Sequence, residues 1–209
     1  MGGIFNLDSS VMNILNKIMN TVILNICFLI SCIPVITIGA ALTALYSVNL
    51  KMVKDEEAYV FSEYWKAFRK NLRQGTACGL ILAAVGAVFI VDFFAVRAVA
   101  GIVQKILGAA LIVLFIVYFV IVLYVFPYMA RFQDSLGVCL KNALMIGAVN
   151  IGYTITMILI GAACAALTFF SIEVMLRALF IWIAGGFSLL AYVNSFFFRK
   201  IFGKYEQGL

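Results

Sequence analysis

Five stretches of the chain contain no Asp, Glu, Lys or Arg: Ile18 to Leu50, Gln74 to Val91, Ile106 to Ala130, Asn142 to Ile172 and Ala178 to Phe198. Bilayer hydrocarbon is crossed by ~17–25 helical residues, and each stretch reaches that length. The expected fold is therefore an all-α, polytopic transmembrane helical bundle. Backbone groups in lipid must be satisfied within the protein, which leaves helices or closed barrels, and strand alternation with turn clusters is absent.

Composition agrees. The chain is 66% hydrophobic and 11% charged over 209 residues, with a mean hydropathy of +1.14, whereas a soluble domain is about one quarter charged. The longest polar interval, Lys51 to Arg73, is too short to fold by itself, so residues 1–209 read as a single integral membrane domain. The start, Met1-Gly2-Gly3-Ile4-Phe5-Asn6, lacks a basic region and a small-residue cleavage site, so the first span is expected to persist. Gly2 does not open a myristoylation motif, because Asn6 stands where Ser or Thr is required.

The first apolar stretch is 33 residues long, about 50 Å as helix. Pro34 lies in its middle, and the residue before a proline is pushed out of the helical basin. A break is thus expected between Pro34 and Gly39, with Thr37 capping the helix that follows. Two arrangements fit. Either one span runs on into an interfacial piece with the N-terminus outside, or a hairpin forms with the N-terminus inside. The hairpin gives six helical elements, and both of its halves are apolar throughout.

Basic residues are unevenly spread. If Lys51 to Arg73 is cytoplasmic, alternation places eleven Lys and Arg inside, against Arg97, Lys105 and Arg177 outside, as the positive-inside rule requires. The cytoplasmic parts would be elbows at 51–73 and 127–142 and a tail at 199–209, with Pro127 ending its helix at the bilayer boundary. In the first elbow Phe61, Tyr64, Trp65, Phe68 and Leu72 share one helical face, with Glu63, Lys66, Arg69, Lys70 and Arg73 on the other. This amphipathic helix is either an interfacial anchor or a docking surface for a partner, carried by Phe61, Trp65, Phe68, Arg69 and Lys70. The nearby Asp55-Glu56-Glu57 nearly balances the charge and speaks against a lipid-headgroup or nucleic-acid site. The elbows share a faint repeat, F-x-[DE]…K-N, at Phe61 to Asn71 and Phe132 to Asn142.

Within the spans, Gly75, Gly79 and Ala83 recur every fourth residue, as do Gly161 and Ala165. Small residues at this spacing let helices approach closely, within one chain or across a homo-oligomer seam. Polar groups at depth are amides, Asn20, Asn25, Asn150 and Asn194, which serve either interhelix bonds or a solute pathway. No His is present, and no nucleophile elbow or facing carboxylate pair occurs, so neither an enzyme nor a cofactor or metal site is expected. The five Cys show no C-x-x-C spacing and read as packing residues.

The segment Leu29-Ile30-Ser31-Cys32-Ile33-Pro34-Val35-Ile36-Thr37-Ile38-Gly39-Ala40-Ala41-Leu42-Thr43-Ala44-Leu45-Tyr46, with Met1 to Asn6 before it, resembles the start of the YesL-like family of bacterial integral membrane proteins. The likeness continues through Trp65 to Gln74, Pro127 to Phe132 and Leu140 to Leu144, and ends at Gly186 to Phe202. The resemblance implies a bacterial plasma-membrane protein of unknown biochemical function, encoded beside carbohydrate importers of the ATP-binding-cassette (ABC) type and sugar-responsive sensors. It thereby implies an accessory role in sugar uptake with a transporter permease or membrane sensor as partner. A small-solute channel or carrier acting alone is the competing expectation.

Overall fold

The computed structural model describes residues 10–54 and 59–206. Met1 to Asn6, the acidic run Asp55 to Glu57 and the last three residues of the tail lie outside them. The described residues form helices α1 (Ser10–Cys32), α2 (Ile38–Val53), α3 (Val60–Ala98), α4 (Ile102–Arg131), α5 (Leu136–Val149), α6 (Ile151–Thr168), α7 (Ile172–Ile181) and α8 (Phe187–Glu206). A 3-10 turn at Val35–Thr37 joins α1 to α2, and a π-helical segment at Trp182–Gly186 joins α7 to α8. Six segments are long and apolar enough to cross a membrane, two of them supplied by the halves of the first charge-free stretch.

The break at Pro34 makes α1 and α2 a hairpin. Leu24, Cys27 and Phe28 of α1 share a core with Ala41, Ala44, Leu45 and Val48 of α2, closed by Val60 and Tyr64 of α3 and Ala191 of α8. Thr37 does not cap α2 through its side chain. Its hydroxyl lies 2.6 Å from the Ser31 carbonyl and 2.7 Å from that of Pro34. It therefore serves the end of α1, where helical carbonyls lose their partners. Gly39 is not the break either; it lies in the first turn of α2.

The role of Gly39 is close approach. A Cβ there would stand 2.1 Å from the Gly75 carbonyl oxygen and 3.0 Å from the Gly79 Cα, and a Cβ on Gly75 would stand 2.7 Å from the Ala40 Cα. Backbone of α2 thus lies on backbone of α3, and dispersion across that contact is what joins helices in lipid. Ala83, the next small residue on α3, is exposed and lines a groove beside Val35 and Tyr118. Among the described residues Gly161 and Ala165 form no seam. Nothing lies within 4 Å of a Cβ on Gly161, and Ala165 is exposed, because α6 buries only Thr154 and Met157.

The hairpin is shorter than its neighbours. From Gly79, where it meets the tip region of α1–α2, α3 continues to Ala98, about 28 Å further at 1.5 Å per residue. Helix α4 meets the same region at Tyr118, Val122 and Phe126 and continues in the other direction to Ile102. The tip itself is apolar and bare: Ile33 is 77% exposed, Val35 75% and Ile36 58%.

Two other breaks were placed differently by the sequence. Pro127 sits inside α4, which runs on to Arg131; the helix stops where the chain turns extended at Phe132. The run Asn142 to Ile172 is divided between α5 and α6 at Asn150. The repeat at the elbows does not correspond in structure. Phe61 to Asn71 lies within one continuous helix, whereas Phe132 to Ser135 is a non-helical turn before α5. A second core, built from α4, α5 and α8 with Leu50 of α2, Cys78 and Leu82 of α3 and Met157 of α6, includes the fully buried Tyr124, Val125, Phe198 and Ile201.

Overpacking at a backbone-to-backbone crossing costs about 1–3 kcal/mol. Gly75→Ala should lower the unfolding free energy in detergent by that amount, while Gly161→Ala should leave it within about 0.5 kcal/mol of the parent. Chemical denaturation followed by circular dichroism makes the comparison.

Candidate functional site

One polar side chain in the bundle, Asn25, bonds backbone through both atoms of its amide. It is fully buried on α1 and faces the π segment. Its Nδ2 donates to the carbonyls of Trp182 at 3.0 Å and Ile183 at 2.8 Å, and its Oδ1 accepts from the Ser188 amide at 3.0 Å. A π segment interrupts the i→i−4 ladder and strands backbone groups, and one amide of α1 satisfies three of them. Trp182 is held from its other side: its indole N–H donates to Thr168 Oγ1 at 3.1 Å, and its ring packs on Phe187 at 4.8 Å. A Cβ on Gly186 would come within 2.7 Å of the Trp182 ring, so the glycine makes room for it.

The other amides occupy different environments. Asn150 is the junction of α5 and α6; its Nδ2 donates to the Ile146 carbonyl at 3.0 Å and to the Tyr205 hydroxyl at 3.3 Å. Four residues on, Thr154 donates to the Gly147 carbonyl at 2.9 Å and lies 2.7 Å from the Tyr124 hydroxyl. Asn194 is buried on α8 against the Tyr46 hydroxyl of α2. Asn20 is half-buried on α1. The four amides Asn20, Asn25, Asn150 and Asn194 lie on α1, at the α5–α6 break and on α8. Asn25 makes interhelix bonds, with its amide bonded to backbone of the π segment and α8.

The basic end of the bundle carries a network that the sequence did not reveal. Asp134, in the turn before α5, accepts from the Tyr128 hydroxyl at 2.5 Å. The same hydroxyl accepts from Asn142 Nδ2 at 2.7 Å. Gln74 Nε2 of α3 donates to the Asp134 carbonyl at 2.6 Å. Helices α3, α4 and α5 are thereby tied at one level. Asp134 and Asn142 belong to the F-x-[DE]…K-N pattern, but the partner Tyr128 is separated from them by a turn whose shape no spacing rule gives.

The amphipathic start of α3 turns part of its aromatic face inward. Tyr64 is fully buried, and Trp65 and Phe68 pack partly on the α1–α2 core. Trp65 meets the rings of Phe61, Tyr64 and Phe68 at 5.6–6.4 Å. Phe61, Arg69 and Lys70 remain exposed, so the free part of this face is smaller than the sequence suggested. Lys51 of α2 reaches back to Glu63 at 2.5 Å, fixing the helix to the hairpin.

Two larger hollows lie at the flanks. One of about 560 Å³ is lined by Phe89, Phe93, Leu111 and Phe115 between α3 and α4. The other, of about 440 Å³, runs along α1 from Ile14 to Val22 beside Gly185 and Tyr192. Both are walled almost wholly by apolar side chains, as surfaces that meet acyl chains are. Among the described residues no group of three or more His, Cys, Asp or Glu could hold a metal ion.

Residues 21–93 match the family model described as Protein of unknown function, DUF624. The YesL-like proteins belong to this family. The match begins at Thr21 on α1 and ends at Phe93 near the end of α3, so it takes in most of the hairpin, the Gly39–Gly75 crossing and Asn25. No curated protein and no solved structure matches the chain.

Interhelix amide bonds in membranes are worth roughly 0.6–2 kcal/mol each, and Asn25 makes three. Asn25→Leu should therefore cost about 2–5 kcal/mol and speed hydrogen exchange at the amides around Ser188. Exchange measured by mass spectrometry on the detergent-solubilised protein should show the effect there and not in α5.

Proposed function

We propose that the protein is a non-catalytic accessory or assembly subunit in a bacterial plasma membrane, working with a carbohydrate ABC importer or a sugar sensor. The observation that carries this reading is the use made of polarity at depth. Asn25, the best-placed candidate for a pathway, is saturated by backbone at 2.8–3.0 Å. The flank hollows are apolar. What remains exposed is a lipid-facing surface and a basic end, which suits a scaffold better than a conduit. The family likeness supports the same class of role by association.

In this reading the basic end and the C-terminus are cytoplasmic. Helices α3, α4, the α5–α6 pair and α7–α8 cross the bilayer, and the α1–α2 hairpin enters from the cytoplasmic side and turns within the hydrocarbon. An apolar, exposed tip beside Ala83, about 22 Å short of the far end of α3, favours that depth, and the Thr37 hydroxyl meets the need to satisfy carbonyls there. Partner contact falls to Phe61, Arg69 and Lys70, the exposed part of the first elbow.

Native detergent extraction should bring down permease or sensor subunits, and Phe61→Ala with Arg69→Gln and Lys70→Gln should reduce their recovery several-fold without loss of the protein itself. Solute uptake by liposomes containing the purified protein alone would replace this reading with a carrier.

Depth is tested separately in a cysteine-free background. Val35→Cys should resist an impermeant maleimide from both sides, whereas Lys200→Cys should react only from the cytoplasm and Arg177→Cys only from outside. Reaction of Val35→Cys from outside would mean that the hairpin crosses fully.

A further inference from the structure

The hollow between the far halves of α3 and α4, of about 560 Å³, has the size of a pocket for an organic ligand, ~300–1,000 Å³. Phe89, Phe93 and Phe94 of α3 wall one side, and Ile112, Phe115 and Ile116 of α4 the other. Both walls lead to a cation. Arg97 follows Phe93 by four residues and so shares its helical face, and its guanidinium carbon sits 4.7 Å from the centre of the Phe93 ring. Lys105 precedes Ile112 by seven residues, about two turns, and so lies on that residue's face of α4. Phe89 meets Phe115 at 5.8 Å, and a Cβ on Gly108 would stand 4.0 Å from Val96. This antiparallel register brings Lys105 to within about one turn of the level of Arg97. Both cations are exposed.

Carboxylates point or lie elsewhere. Asp92 comes five residues before Arg97 and therefore about 140° around α3 from it. Glu173 pairs with Arg177 at 3.8 Å, Glu63 with Lys51, and Asp134 accepts from Tyr128. Glu206 ends α8 at the basic end. The run Asp55 to Glu57 adjoins Val60, about 55 Å along α3 from Arg97, and Asp8 precedes α1, which packs on Val60 and Tyr64 at that same end of α3.

We infer that this groove binds an anionic phospholipid of the leaflet at the Ala98 end of α3, with an acyl chain between the aromatic walls and the phosphodiester at Arg97 and Lys105. The depth fits. Lys105 immediately precedes the charge-free stretch of α4, and Arg97 follows that of α3 by six residues, so the cations stand at the headgroup boundary and the walls in hydrocarbon. A guanidinium stacked on a ring keeps the donors of its edge free. Those donors meet phosphate oxygens in a two-point geometry, while Lys supplies a mobile point charge. Lipid tails are as apolar as the groove, so the acyl chain contributes fit and the phosphate contributes preference. A second copy of the chain suits the groove less. Close helix pairing needs small residues, whereas this face presents rings, and two such faces would bring their cations together. The inference holds whichever partner the protein has.

The full chain is reconstituted in phosphatidylcholine nanodiscs with a trace of either phosphatidylglycerol or phosphatidylcholine carrying a diazirine on its acyl chain. After irradiation, proteolysis and mass spectrometry read the label on residues 86–94 and 111–116. In the wild type the phosphatidylglycerol probe should label these residues roughly tenfold more than the phosphatidylcholine probe, the scale of one charge-assisted contact.

Arg97→Gln combined with Lys105→Gln should bring the two probes level with helix content by circular dichroism unchanged, since both side chains are exposed. The charge-preserving pair Arg97→Lys with Lys105→Arg should keep the preference, as should Arg177→Gln. Equal labelling by both probes in the wild type, a preference that survives the double Gln variant, or an unlabelled groove in a particle whose native mass is that of a dimer overturns the inference.

Discussion

Hydrocarbon offers no hydrogen-bond partner, so each place where a helix stops or slips within an apolar stretch must be repaired by a side chain from the protein. Three such places organise the molecule. At Pro34 the Thr37 hydroxyl turns back to the carbonyls of Ser31 and Pro34. At Trp182–Gly186 the Asn25 amide serves three backbone groups of another helix. At Asn150 the repair is shared between Asn150 and Thr154, backed by Tyr124 and Tyr205. Thr37, Asn25, Asn150 and Thr154 are thus the partners of the breaks.

This accounting links fold to function. An amide that satisfies three backbone groups is not available to a solute, and its loss would loosen α1 from the last helix before it altered any conduit. The α2–α3 contact obeys a related demand: with no hydrophobic drive between helices in lipid, the backbones at Gly39 and Gly75 must touch to gain dispersion energy. Hairpin and final helix are consequently tied to their neighbours, while α6 and the far halves of α3 and α4 present exposed apolar side chains. At the basic end Arg199 of α8 is held on the Val53 carbonyl of α2.

Much of this was legible in the residues. Charge-free length gave the helices and the class; Pro34 gave the break in the first stretch; and the family match over residues 21–93 agrees with the resemblance read from the motif around Pro34. The readings that changed were those depending on a partner. Pro127 looked like a terminus, yet its missing N–H is tolerated near the end of α4. Gly161 and Ala165 have the same spacing as Gly75 and Gly79, but none of the described helices crosses them. Trp65 and Phe68 lie on an aromatic face that turned out to be half covered by the hairpin.

Local sequence determined where the chain is helical and which stretches belong in lipid, because both follow from properties summed over contiguous residues. It also set how unevenly Lys and Arg are spread along the chain, which is a count. Tertiary structure alone decided that Asn25 clamps a segment 157 residues away, that the α1–α2 tip stops short of the far end of α3, and that Arg97 and Lys105 stand over one apolar groove. Each depends on which helix lies beside which and at what height, and in a bundle of uniformly apolar rods that choice is made by a few backbone contacts and polar repairs between residues distant in the chain.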